Sequence, residues 1–412
     1  MNRYFSMTDK IYDITERYPI LIEFLADNGF ENLRNEIMRK TIGKTISLDA
    51  ALRSKQLEPA LFEQKITALL EQSEPPETPA GSSAGSAGAG TGVTMSGILP
   101  CPIRLQLVEQ LKHWIAQQDQ TVTLNLQAAS MGLEWLRSSL AESKNEDELA
   151  DIYLSAGFSL FYDRSVMGRY MDNGVFRDLT GAGHLNQCFD NPQINLKDPL
   201  GRYTIIGVVP AVFMVNMQLL GGRTCPESWS DLLKPEFENS IALPMRDLDL
   251  FNAVLLGIFS TYGESGVKQL GRGLLKDMHP AQMIKTGTSR RSSDGPVVTV
   301  MPYFFTWMAG QDSLLKAVWP KDGAIISPIF LLSRQSSQEK IQPLVDYLFS
   351  GEMGQVFAAD GKFPSTHPDV DNHLTDEQRF MWPGWDFIHS HDISKLLTDT
   401  EQMFLTASGG NL

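Results

Sequence analysis

Residues 203–216 read YTIIGVVPAVFMVN, a long β-rich run with one proline and no charge. At about 3.3 Å per residue, such a run can leave one lobe and enter another. A second apolar run, GAIISPIFLL at 323–332, is placed to bring the chain back. Two lobes joined by crossing strands form a hinge, and a ligand is expected in the cleft between them.

The segments around these runs alternate. TVTLNLQAAS (121–130) and ADIYLSAGF (150–158) read as strands ending in small residues, and MGLEWLRSSLAES between them reads as a helix. SIALPMRDLDLFNAVLLGIFSTYG is strand, loop and helix; PVVTVMPYFFTWMAG (296–310) is strand then helix; SQEKIQPLVDYLFSGEMGQVFAADG is a helix pair. Strands alternating with helices predict an α/β protein with mostly parallel sheets. Upstream, SEPPETPAGSSAGSAGAGTGVTMSG (73–97) offers nothing large to bury and reads as a flexible linker. The expected domains are therefore a small helical one over 1–72, the linker over 73–97, and a two-lobed one over 98–412.

The chain has 412 residues, 42% hydrophobic and 20% charged, with a formal net charge of -14. That acidity argues against a general nucleic-acid or anionic-membrane surface. Cys101, Cys188 and Cys225 are far apart and form no CxxC or Cys/His cluster, which disfavours a cysteine-built metal centre and fits a reducing compartment. No stretch of 18 apolar residues predicts a membrane span. The first 25 residues lack a charged n-region followed by an apolar h-region. The expectation is a cytoplasmic protein.

In the first block, Ile11, Ile14, Tyr18, Leu21 and Ile22 recur at helical spacing, and TIS before Asp49 reads as a helix entry. The segment YPILIEFLADNGFENLRNEIMRKTIGKTISLDAAL resembles a small helical domain of unknown function that accompanies iron–sulfur repair proteins, di-iron proteins and redox sensors. Many members carry a CxxC where this chain reads NGFENLRNE, so a docking module for a protein partner is the expected role.

From about residue 98 to 390 the chain resembles the periplasmic-binding-protein type II fold, and more narrowly the substrate-binding proteins of iron-type ABC importers. Three stretches carry this: VVPAVFMVNMQLLGGRTCPESWSDLLKPEFENSIALP, VWPKDGAIISPIFLL, and EKIQPLVDYLFSGEMGQVFAADGKFPS. Relatives bind ferric ion, thiamine, polyamines or phosphorylated sugars. The ferric subgroup's adjacent tyrosines are missing, because VMPYFFTWM has Tyr303 followed by Phe304 and Phe305. The resemblance implies a two-lobed binding protein and an ABC permease as a possible partner.

Strand ends and the helix starts after them face the cleft in such folds. Candidate ligand-binding residues are Ser130 and Met131 after one strand, Ser155 and Gly157 after the next, Arg246 at a helix start, and Tyr303 after a third strand. Small residues can equally serve tight turns. Arg246 is suited to pair a carboxylate or phosphate through two parallel hydrogen bonds. Tyr303 offers a ring with a hydroxyl tip. Asp163 reads as a cap, Asp247 or Asp249 as a partner for a helix dipole, and TGTSRRSSDG (286–295) as an exposed loop. HSHD (389–392) reads as a surface loop. Asp322 in KDG reads as a turn residue rather than a ligand contact.

No GxSxG, P-loop, HExxH or dinucleotide fingerprint is present, so no catalytic residue, metal ligand or cofactor is expected. The reading is a non-enzymatic protein that binds a small polar or anionic molecule, as a sensor or carrier. The alternatives are a metal- or redox-linked adaptor and an enzyme on the same fold.

Overall fold

The computed structural model describes residues 4–18, 20–27, 30, 33, 38–55, 62, 66, 92–128, 133–245, 249–278, 295–307, 314–359 and 362–409. The chain divides into two units, Met1–Gly88 and Ala89–Leu412.

The first unit is helical where described, with helices Ile11–Arg17, Ile20–Asp27 and Leu48–Ser54. Ile11, Ile14, Leu21, Leu25, Leu48 and Leu52 share a core with Tyr4 and Phe5. The helix entry at TIS is as expected: the Ser47 hydroxyl accepts the Ala50 N–H at 3.3 Å, which satisfies one orphan donor of the first turn.

The second unit is an α/β body of thirteen strands among the described residues. They are β1 (Val93–Leu99), β2 (Val122–Ala128), β3 (Ile152–Ser155), β4 (Phe176–Arg177), β5 (Asp190–Asn191), β6 (Ile194–Asn195), β7 (Thr204–Asn216), β8 (Ile241–Leu243), β9 (Leu274–Asp277), β10 (Val298–Pro302), β11 (Leu315–Val318), β12 (Ala324–Arg334) and β13 (Phe380–Met381). The main sheet runs β2-β1-β3-β12-β7-β10-β8-β9, with β11 on β7 and with β4 and β13 on β12. β1, β2 and β3 are parallel to one another, as are β8, β9 and β10. Each set is a lobe: lobe 1 holds β1–β4 and lobe 2 holds β8–β11.

β7 and β12 belong to both lobes. β7 pairs antiparallel with β10 over 211–215 in lobe 2, and β12 pairs antiparallel with β3 over 330–333 in lobe 1. Between them β7 and β12 pair with each other, with Pro210 opposite Ile326 and Pro328 opposite Val208, and the register slips at Ile329/Phe330. A proline removes one ladder donor, so two prolines and a bulge at mid-crossing weaken the ladder where the lobes meet. A third segment backs this point. Val208 donates to the Pro364 carbonyl at 3.0 Å, and Thr366 N donates to the Ile206 carbonyl at 3.1 Å.

The linker's far boundary needs correction. Residues 93–97 are strand, not linker, and Val93 and Met95 are fully buried. The glycine that made this stretch look flexible has a packing role: a Cβ on Gly97 would lie 1.8 Å from the Leu154 carbonyl oxygen. Only glycine lets β1 pass so close to β3. TVTLNLQAAS accordingly supplies the second strand of the unit, which pairs in parallel with β1. Residues 73–91 lie outside the described residues.

Candidate functional site

The sheet topology points three strand ends at the hinge. β3 ends at Ser155 opposite Phe330, β10 ends at Pro302 opposite Ala211, and β8 lies beside β10 and ends at Leu243. In open α/β sheets the crevice beyond such carboxyl ends is where ligands bind.

Here one side chain spans the two lobes. Asp249 sits at the start of the long helix Leu250–Gly273 of lobe 2, yet makes no cap to that helix. Its carboxylate reaches lobe 1, where it accepts the Ser159 N–H at 2.8 Å and the Ser159 hydroxyl at 2.7 Å. Asn252 donates the third bond at 3.1 Å. Asp249 is almost fully buried. Burial pushes its carboxyl above the usual carboxylate range, and the bonds from Ser159 and Asn252 offset only part of that cost. Reading Asp249 as a partner for its own helix dipole is therefore incomplete, because the acceptor is used ninety positions upstream in the chain.

The expected site residues fall into two groups. Ser130, Met131 and Arg246 lie outside the described residues, as does Asp247, and so do residues 286–294 of the basic loop. Ser155, Gly157 and Tyr303 all stand at the strand ends. The Ser155 hydroxyl is fully buried and accepts the Gly157 N–H at 3.0 Å, closing its own turn. Gly157 is needed for close approach, since a Cβ there would lie 2.3 Å from Leu133 Cδ2. Tyr303 is half-buried with its ring edge-on to Trp319 at 5.0 Å and to Trp307 at 6.1 Å. Trp307 is 61% exposed, far from the usual state of a tryptophan.

Neighbouring charges are accounted for. Asp163 accepts the Ser165 N–H at 2.9 Å and its hydroxyl at 2.6 Å, and pairs with Arg137 of lobe 1. Burial raises its pKa, but the Ser165 and Arg137 bonds outweigh burial and lower it overall. This is a local turn closure and an ion pair, broader than the cap expected. Asp322 is structural, as its turn suggested, but does more than turn the chain. It accepts the Trp229 N–H at 2.9 Å and the Tyr262 hydroxyl at 2.7 Å, while the Trp229 indole donates to the Gly323 carbonyl at 3.0 Å. The SW and DG pairs thus brace one another. The HSHD stretch needs correction: His389 ends the helix Trp385–Ser390 and its Nε2 lies 2.8 Å from a carboxylate oxygen of the buried Asp198. A sequence shows no reason for two positions so far apart to meet.

Among the described residues, no group of three His, Cys, Asp or Glu side chains is placed to hold a metal ion. Among the same residues, no helix is long and apolar enough to cross a membrane.

A two-lobed α/β body with paired crossing strands and a contact bridging its lobes has the architecture of a solute-binding protein. Residues 147–391 match the bacterial extracellular solute-binding protein family, and the chain belongs to it. Residues 5–62 match a domain of unknown function. No curated protein matches the chain. Solved structures show the same fold at low identity. An ABC transporter protein from Clostridium perfringens is 14% identical with a TM-score of 0.54, covering 76% of this chain and 99% of its own. The periplasmic binding protein AfuA from Actinobacillus pleuropneumoniae, solved with fructose-6-phosphate, is 12% identical with a TM-score of 0.53, covering 77% and 98%. A ferric binding protein from Campylobacter jejuni is 13% identical with a TM-score of 0.52, covering 76% and 99%.

Proposed function

We propose that the second unit binds a small polar or anionic molecule between its lobes without transforming it, and that closure of the lobes is the signal it produces. The observation that carries this reading is the Ser159–Asp249 contact beside the ends of β3 and β8, which brings polar groups of both lobes to the hinge-facing strand ends. A ligand that prefers the closed form shifts the hinge equilibrium by its difference in affinity for the two forms. Tyr303 and Arg246 are the side chains proposed to contact it from lobe 2, and Ser155, Gly157, Ser130 and Met131 the positions proposed to contact it from lobe 1.

The proposal extends to location and partners. We propose a sensor or carrier in the cytoplasm, in which Tyr4 and Phe5 serve the core of the helical unit. The helical unit would pass the closed state to a protein partner, with an ABC permease as the other candidate partner. Cell fractionation with a tagged full-length chain tests the location.

The ligand is tested by thermal unfolding of the full chain against phosphorylated sugars, carboxylates, polyamines, thiamine compounds and metal ions. A ligand at 100 times its dissociation constant adds about 2.7 kcal/mol. A stabilisation confined to one class, and reduced by Tyr303→Phe, is the expected result. No shift across the panel would count against a small-molecule cleft.

A further inference from the structure

We propose a second binding site, separate from the interlobe cleft, that takes a small anion of phosphate or carboxylate type. It is a cavity of about 120 Å³ lined from three parts of the chain, residues 161–172, 200–203 and 388–393. That volume suits a few waters or an anion of phosphate size, and is too small for a nucleotide or a typical organic cofactor.

The charges on its wall favour an anion. Arg164 is exposed at the cavity, and its side chain has no hydrogen bond or ion pair among the described residues. Arg202 stands on the opposite segment, and among the described residues its side chain pairs with Asp172 alone, at 3.4 Å. Of the acids nearby, Asp163 is held by Arg137 and Ser165, the deeper Asp198 accepts three backbone N–H groups and lies against His389, and Asp172, also on the wall, is the partner of Arg202. In a chain of net charge -14, an uncompensated guanidinium in a concavity stands against the average. Guanidinium groups suit both anion types because they offer paired N–H donors.

A second observation comes from Tyr162, which lines the same cavity. It is 5% exposed, and its hydroxyl is buried with no hydrogen-bond partner among the described residues. A buried hydroxyl without a partner is costly; the hydroxyl itself has no open surface in this structure, and an anion oxygen would satisfy it on a shift of the Tyr162 side chain toward the cavity that the residue lines.

The position also ties the site to the lobes. Residues 388–393 lead into the helix Ile393–Ala407, which packs on the helix Leu250–Gly273 of lobe 2. A Cβ on Gly271 would lie 2.5 Å from the Phe404 carbonyl oxygen, and the Phe251 and Phe404 rings are 5.1 Å apart. The opposite wall belongs to the segments after β3 and before β7 in lobe 1.

The experiment is calorimetric titration of the full-length protein with inorganic phosphate and, separately, with acetate. The variants are Arg164→Gln, Arg202→Gln, Tyr162→Phe and, as the cleft control, Tyr303→Phe. We expect saturable binding of at least one anion, weakened tenfold or more by Arg164→Gln and unchanged by Tyr303→Phe. Tyr162→Phe should weaken binding while leaving the ligand-free melting temperature equal or higher, which a merely structural tyrosine would not do. Should Arg164→Gln lower the ligand-free melting temperature, Arg202→Gln takes its place in the comparison. The site is overturned if neither anion binds, or if binding survives both arginine variants. Loss in Tyr303→Phe alone would place the anion in the cleft, overturning this site and supporting the cleft reading.

Discussion

Asp151 and Asp249 are both buried aspartates that tie distant parts of the chain together, yet their surroundings move their acidity in opposite directions. Asp151 stands at the start of β3 in lobe 1. It receives the Ser337 hydroxyl at 2.6 Å, the Thr94 N–H at 2.9 Å, Lys340 at 3.0 Å and the guanidinium of Arg334. Burial pushes its carboxyl up, but these donors, two of them cationic, outweigh burial and hold it at about 2. Among the described residues Asp249 receives hydrogen bonds from neutral donors alone, Ser159 and Asn252, with Arg137 acting on it through space, and burial prevails. The difference teaches where rigidity is wanted. A carboxylate with its own cations fixes the end of β12 to β1 and β3 within one lobe. A carboxylate held only by neutral donors joins two lobes whose separation must change.

Removing the first should cost most. Asp151→Ala strands the buried guanidinium of Arg334, and loss of one partner of a buried pair costs about 3–5 kcal/mol. Urea unfolding reads this directly, and a loss below about 1 kcal/mol would show that the cluster is not a staple.

Acid separates the two groups next. The folded pKa of Asp151 lies below the unfolded value near 3.8, so its contribution is fully present above that value. It is lost as pH falls from about 3.8 through about 2, a loss of roughly 2 kcal/mol. Asp249 has the opposite sign. Its folded pKa is raised, so its contribution is greatest below the unfolded value and declines as pH rises through the folded pKa. Melting curves of Asp151→Asn and Asp249→Asn across acid pH should therefore deviate from the parent in opposite senses. Parallel deviations would erase the contrast.

Asp249→Ala is expected to cost about 1–2 kcal/mol and to open the lobes of the ligand-free protein, seen as a larger radius of gyration in solution scattering. An unchanged radius would remove Asp249 from any role in closure. The smallest effect belongs to Tyr303→Phe. It should change stability by less than about 0.5 kcal/mol while altering the response to a cleft ligand.

Much of the architecture was legible in local sequence. The crossing strands announced themselves by length and apolar content, and the helical module by its periodicity. The reading failed where one residue serves a distant neighbour. Gly97 read as linker because composition cannot show that Leu154 will pass against it. His389 read as loop because Asp198 is nearly two hundred positions away. The KDG turn was legible because the bond that closes it, Gly323 N–H to the Pro320 carbonyl, is local, and Ser155, expected as a ligand contact or a tight turn, does close a local turn onto Gly157.

The sequence by itself determined the α/β alternation, the two crossing runs and the helical unit ahead of them, since periodicity and chain reach act over a few residues. Only the tertiary structure decided that Asp249 would bind Ser159, that Asp322 would brace Trp229, and that the Arg164 side chain would stand at a cavity with no partner among the described residues. Those outcomes depend on which side chains folding brings within about 3 Å of each other, and spacing along the chain does not contain that distance.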